Sequence, residues 1–303
     1  MRIVLLGQAA FAQQVLDGLR TRGHDVAAVY CPPGTKPDPL ATRARELELP
    51  VHEHSSLKGP EVAAEVAAYA ADLGVLAYVT QIVPPAVFAA PRLGSICFHP
   101  SLLPRYRGGS AIPWHIIRGE SETGVTVFWV DPGIDTGAIV LQRRAPLGPD
   151  ETAASLYYNT LFPMGVSAVL EAVELIAAGA APRQVQDEAR ATYDSLCRDA
   201  HARVDWARPL AEVYNLIRGC DPQPGAFVLH CGTPVRLFDA RPVAAPRTPP
   251  GVIAAIAPEG MVVGVAGGAI SIGRLKAGAD RKVAAAEVTA ALGLGIGARI
   301  GDA

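Results

Sequence analysis

The sequence predicts an α/β protein in which a mostly parallel sheet is followed by a small β-barrel, and three observations carry that reading. Through the amino-terminal part, short apolar runs alternate with stretches of helical period, as in parallel strands joined by helices. From about Gln184 to Arg203 the pattern weakens and polar residues dominate, which places an interdomain linker there. Beyond it, short apolar runs recur between Gly and Pro turns, the spacing of a small barrel. At 303 residues the chain exceeds the usual span of one core. The expected domains are therefore 1–203, including the linker, and 204–303.

Arg2 to Leu6 reads as a buried strand, and Phe11 to Thr21 as a helix with Phe11, Val15, Leu16 and Leu19 on one face. Gly23 ends that helix, and a second strand, Asp25 to Tyr30, runs into CPPGTKPDPL, whose four prolines exclude regular structure. Helices over Leu40–Glu48 and Pro60–Leu73 and strands over Gly74–Val79 and Gly94–Phe98 continue the alternation. VTVFWV is then a strand ending at the turn DPGIDTG, with AIVLQRRAPL as its hairpin partner. Thr152 to Ala178 is one long helix, started by Asp150 and Thr152 and stopped near Gly179. In the second domain DWARPLAEVYNLIRG is an amphipathic helix, and FVLH, TPVRLFDARPV, GVIAAIAP, MVVGVAGG and AISIGRL are strands.

Composition narrows the function classes. Charged residues interrupt the apolar runs, so none is expected to reach the roughly 20 residues that span a bilayer. The opening MRIVLLGQAAF leads straight into a helical pattern and reads as a first strand, not a signal peptide. Five cysteines, Cys31, Cys97, Cys197, Cys220 and Cys231, are scattered without CxxC spacing, which suggests neither a disulfide framework nor a zinc site and fits a cytoplasmic protein. A net charge of −2 argues against a protein held to nucleic acid by bulk charge. No DNA or membrane partner is expected.

Chemistry concentrates in SICFHPSLLPRYRGGSAIPWHIIRGESETGVTVFWVDPGIDTG, residues 95–137. His99 stands at a strand end, where a parallel sheet opens its ligand crevice. Cys97, two residues earlier on an extended chain, leaves the same face. An aspartate returned by DPGIDTG could orient and charge-stabilise the imidazole, the usual support for a general base. Each has a plainer reading: a satisfied structural histidine, turn-forming aspartates at 131 and 135, and a small buried thiol at 97. Trp114 and His115 read as packing. GQAAF lacks the later glycines of GxGxxG, so dinucleotide binding is not supported.

HPSLLPRYRGGSAI followed by GVTVFWVDPGIDTG resembles the family of formyltransferases that use 10-formyltetrahydrofolate, which includes methionyl-tRNA formyltransferase and sugar-amine formyltransferases. The likeness is strongest to the hydrolase domain of 10-formyltetrahydrofolate dehydrogenase, through GQ after the first strand, TQIVP, FHPSLLPR, FWVDPGIDTG and LFPMGV in matching order. It runs over essentially the whole chain. The resemblance implies a Rossmann-like catalytic domain followed by an OB-like barrel. It stops short of that protein's aldehyde dehydrogenase domain, so oxidation of the formyl group is not expected. It also implies 10-formyltetrahydrofolate as formyl donor, without a metal.

By the same resemblance His99 and Asp135 match the catalytic pair. Ser101, Leu102, Leu103 and Pro104 match the SLLP motif beside the folate. The segment from Tyr78 through Thr80, Gln81, Ile82 and Val83 to Pro84 matches the loop that binds the pterin, and Asp131 opens the turn that closes over it. Gly108, Gly109 and Ser110 face the acceptor pocket. One residue departs from the pattern: formyltransferases of the family generally carry Asn two places before the histidine, where its amide donates to the formyl oxygen, and this chain carries Cys97. A thiol is a poor donor, although the resembling hydrolase domain lacks that Asn too. Cys97 could alternatively act as a nucleophile, forming a thioformyl intermediate with His99 as base.

Three acceptors are compatible with this reading: water, giving formate and tetrahydrofolate; the amine of initiator methionyl-tRNA; or a sugar-nucleotide amine. In tRNA-acting relatives the loop after the second strand is long and basic, whereas CPPGTKPDPLATR is short with few basic groups. A folate-binding protein without turnover is the non-enzymatic alternative, against which the retention of both His99 and Asp135 weighs.

Overall fold

In the computed structural model, which describes residues 1–278 and 281–302, the first apolar run is a strand whose Ile3, Val4 and Leu5 have no solvent exposure. The chain then runs β1 (Arg2–Gly7), α1 (Ala9–Thr21), β2 (Asp25–Cys31), α2 (Pro39–Glu46), β3 (Val51–Glu53), α3 (Pro60–Ala68), β4 (Leu73–Ala77), α4 (Pro85–Phe88), β5 (Ser95–His99), α5 (Ala111–Ile117), β6 (Glu122–Trp129) and β7 (Ile139–Pro146). The sheet order is β3-β2-β1-β4-β5-β6-β7. The first five strands pair in parallel, and β6 runs antiparallel to β5. This is the mostly parallel, Rossmann-like sheet expected from the alternation of strand and helix. Order reverses between β1 and β4, so the carboxyl ends of β4 and β5 open onto the crevice where such sheets bind ligands.

Alternation fixes how β5 presents its side chains. Phe98 points into the core, stacked on Phe11 of α1 with ring centroids 4.4 Å apart. Cys97, on the opposite face, packs against a cluster containing Val4, Leu6 and Tyr30. In the proline-rich loop, Asp38 caps α2 by accepting from the Leu40 amide at 2.8 Å and also accepts from the Ala9 amide at the start of α1.

Some expected boundaries move, and one expected helix is interrupted. The helix expected over 60–73 ends at Ala68, where Ala70 takes a left-handed conformation (φ 46°) and turns the chain into β4 at Leu73. The long helix expected over 152–178 is interrupted: α6 (Ala153–Leu156) passes through one π turn, Tyr157–Leu161, into α7 (Phe162–Ala177). Pro163 explains the widening, because it has no amide hydrogen and its ring crowds the carbonyl one turn earlier. Gly165 of α7 lets that helix lie against β5, since a Cβ there would stand 2.4 Å from the Phe98 ring. Residues 153–177 are, by length and composition, long and apolar enough to cross a membrane, but Glu171 and Glu174 interrupt the run and 56% of its most apolar stretch is buried within the fold, as in a core helix.

By packing, the chain divides into two units: residues 1–108, 124–145 and 159–193 in the first, and 109–123, 146–158 and the residues from 194 onward in the second. The second unit contains α8 (Leu210–Gly219), β8 (Phe227–His230), β9 (Thr233–Val243), β10 (Ile253–Ala257), β11 (Gly260–Val265), β12 (Gly268–Ala277), β13 (Val283–Ala284) and α9 (Ala285–Ala291). Its strands form an antiparallel sheet in the order β10-β11-β12-β9-β8, with β13 on β12. Trp206, Leu237, Ile253, Met261, Ile270 and Ile272 fill its core. All five strands expected here are present. The helix begins at Leu210 instead of Asp205, because the residue before Pro209 is biased away from helical backbone.

Candidate active site

His99 closes β5 and is only 7% exposed. Its Nε2 lies 2.7 Å from the carbonyl oxygen of Tyr106, which can only accept, so Nε2 carries the hydrogen. Nδ1 is then the basic nitrogen of the neutral ring, and it faces Asp135 Oδ2 at 3.6 Å. That is too long for a hydrogen bond and short enough for an ion pair once Nδ1 is protonated. While the ring is neutral, two acceptors confront each other, an arrangement that suits an O–H or N–H donor bridging them from the side.

Asp135 is held from three directions. Its Oδ2 accepts from the Gly108 amide at 2.7 Å. Its backbone is left-handed (φ 56°), a conformation Asp tolerates better than most residues. Its carbonyl accepts from Gln186 Nε2 at 2.9 Å, and the same nitrogen donates to the Gly137 carbonyl at 2.7 Å. Gly137 must be glycine, since a Cβ would fall 1.6 Å from the Trp129 carbonyl oxygen. Asp131 engages its own turn, accepting from the Gly133 amide and the Thr136 hydroxyl. Ile134, at the turn's apex, is 61% exposed.

The SLLP motif frames the loop after His99 through groups already paired within the protein. The Ser101 hydroxyl donates to the Arg105 carbonyl at 2.7 Å, the Thr126 hydroxyl donates to the Ser101 carbonyl, and the Leu103 carbonyl accepts from Gln142. Leu102 packs where Gly124 lacks a side chain, and Leu103 and Pro104 are buried. Residues 78–84 are a loop between β4 and α4 with an open apolar surface, Tyr78 being 41% and Ile82 69% exposed. Thr80 reaches Gln8 at 3.5 Å and Gln81 Nε2 donates to the His54 carbonyl at 3.0 Å, while Val83 and Pro84 are half-buried. Gln8, Thr80 and Gln81 help line a cavity of about 10 Å³ at the ends of β1 and β2.

Cys97 lies on the strand face it shares with His99. Burial pushes its thiol well above the ordinary range, and the Asp135 charge pushes the same way. The group is therefore a thiol and not a thiolate, an unfavourable state for a nucleophile. Of the three residues expected at an acceptor pocket, Gly108 donates its amide to Asp135. At Gly109, in the second unit, the space of a side chain is taken by Leu196. Ser110, left-handed at φ 66°, precedes α5 and borders an open groove of about 450 Å³ with Pro113, Cys197 and Asp199.

The formyl transferase family profile matches residues 1–173, and the formyl transferase C-terminal domain profile matches residues 197–292. The chain belongs to the formyl transferase family. Its relatives in that family are enzymes, and they differ in reaction. Cytosolic 10-formyltetrahydrofolate dehydrogenase of Mus musculus is 41% identical over 247 residues, 79% of this chain. This chain matches only 27% of that protein's length. Methionyl-tRNA formyltransferase of Geobacter sulfurreducens is 35% identical across 100% of this chain and 98% of its own. Among solved structures, HypX from Aquifex aeolicus in complex with tetrahydrofolic acid superposes with a TM-score of 0.74 at 25% identity, over 98% of this chain and 48% of that one.

Sequence reasoning missed the brace beneath this candidate site. Arg107 has no solvent exposure; Nη1 and Nη2 pair with the two oxygens of Glu188, and Nε and Nη2 donate to Gln186 Oε1 at 3.1 and 2.8 Å. The Tyr193 hydroxyl adds a third partner at 2.7 Å, and Thr192 ties down the Tyr106 and Arg107 amides. The residues that brace Asp135 thus come from the stretch expected to be a linker. The Glu188 pair keeps Arg107 firmly protonated and holds the Glu188 carboxyl below its usual range. Arg107→Ala leaves buried Gln186 Oε1 without its donor, so a loss of about 2 kcal/mol is expected. A calorimetric melt should read this as a fall of roughly 4–8 °C; an unchanged melting temperature would remove the brace from the account.

Proposed function

We propose that the chain removes the formyl group of 10-formyltetrahydrofolate with water as acceptor, releasing formate and tetrahydrofolate. The observation that carries this reading is the His99 Nδ1–Asp135 Oδ2 gap of 3.6 Å, with Nε2 already committed to Tyr106. A water seated beside that pair, within hydrogen-bond reach of both atoms, donates one hydrogen to Nδ1 and presents its oxygen to the formyl carbon. As the C–O bond forms, Nδ1 takes the proton and Asp135 stabilises the resulting imidazolium. Collapse of the tetrahedral intermediate breaks the bond to N10, and the imidazolium returns its proton to the leaving nitrogen. The donor's ring is placed against residues 78–84, where Tyr78 and Ile82 offer apolar surface, and Ser101–Pro104 and Asp131 keep the flanking loops in place.

Water is favoured over an amine by the 41% identity to the dehydrogenase relative, by Cys97 in place of the family's asparagine, and by the few basic groups in residues 31–43. The second reading, formyl transfer to the amine of methionyl-tRNA, is supported by the full-length match to the Geobacter enzyme. Incubation with 10-formyltetrahydrofolate alone and with added methionyl-tRNA separates the two. Formate at the same rate in both reactions supports hydrolysis; formyl-methionyl-tRNA with no formate in its absence establishes transfer. Cys97→Ala is expected to keep turnover within a few-fold, because a half-buried neutral thiol contributes packing. Loss of all turnover in that variant, with a trapped thioester in the wild type, would assign the thiol a covalent role.

A further inference from the structure

Away from His99, β3 and α3 bring together three side chains with no part in the mechanism above. His52 and His54 are two residues apart on extended backbone and share a face. Glu65 and Tyr69, four apart at the end of α3, face them. Glu65 Oε2 lies 3.3 Å from His52 Nδ1 and 2.9 Å from His54 Nε2, and the three ligand atoms all fall within 4.8 Å of one another. Bonds of about 2.0–2.1 Å in tetrahedral geometry place ligand atoms about 3.4 Å apart, so a small outward movement of Glu65 makes room for an ion.

We propose that His52, His54 and Glu65 bind a divalent transition-metal ion, zinc by its ligand chemistry, with water in the fourth position. Two imidazoles and one carboxylate form a set that takes zinc and leaves one position open. Two further features support it. His52 Nε2 is 2.7 Å from the Tyr69 hydroxyl, the outer partner that fixes a ligating imidazole with Nδ1 toward the metal. Tyr30, the register partner of His52 and stacked on it at 4.7 Å, is 1% exposed, and its hydroxyl has no hydrogen-bond partner among the described residues. A metal-bound water gives it the partner it lacks.

The ion's place is structural. β3 stands four strands from β5, about 19 Å across the sheet at about 4.8 Å per strand. Its influence reaches the 78–84 loop through the His54 carbonyl, which Gln81 holds at 3.0 Å.

The test uses untagged full-length protein, stripped with chelator and titrated with zinc chloride and, separately, cobalt chloride. One zinc per chain by elemental analysis, a visible cobalt band and a higher melting temperature are expected. His54→Ala and Glu65→Gln, checked for folding by circular dichroism, should lose the stoichiometric zinc and the cobalt band. Tyr69→Phe should weaken binding by about 10-fold. Failure of the wild type to hold one zinc would overturn the proposal, as would equal binding by His54→Ala and Glu65→Gln.

Discussion

His99→Ala is expected to lower formate release from 10-formyltetrahydrofolate by about 100- to 10,000-fold, the usual contribution of a general base. The variant should remain folded. It loses one hydrogen bond to the Tyr106 carbonyl, about 1 kcal/mol, while β5 stays anchored by Phe98 against Phe11. Steady-state kinetics with a circular dichroism melt separates the two effects. Turnover near the wild-type rate in a folded His99→Ala protein would place the base elsewhere.

Asp135→Asn is expected to reduce kcat by about 100-fold or more with KM nearly unchanged, because the carboxylate acts on the imidazolium as it forms and not on bound donor. The substitution suits the site. Asn accepts the left-handed backbone at φ 56°, and its amide oxygen still receives the Gly108 amide hydrogen. The lost quantity is the charge opposite Nδ1. A rise in KM with kcat preserved would instead make Asp135 a residue of donor binding.

The fold was largely legible because each strand and helix carried its own period. The parallel strands read as apolar runs, and the second unit's strands as short runs between turn residues. Departures arose where local pattern and long-range packing disagree. β3 has only Val51–Glu53, too short to register as a period, and exists because β2 offers an edge to pair with. The π turn before Pro163 follows from a residue that the apolar periodicity of 152–178 outweighs.

The candidate site was legible in a different way. His99 and Asp135 stand in a contiguous motif, so the pair could be named without knowing how the 131–137 loop returns to β5. The brace could not be named, because Arg107 meets Gln186 and Glu188 across 79 and 81 residues. Those partners sit in a polar stretch whose composition suggests a solvated linker. An arginine inside RYRGG, next to two glycines and a buried tyrosine, was the one local signal of a buried cation that needs a partner.

The most direct test of the water mechanism is a single turnover of 10-formyltetrahydrofolate by excess enzyme in ¹⁸O-enriched water, without any amine, with formate read by mass spectrometry against a His99→Ala control. The account predicts rapid formate carrying one solvent oxygen in the wild type and only the slow background in the variant. Donor that stays formylated over the same time, or formate formed equally fast by His99→Ala, would contradict it.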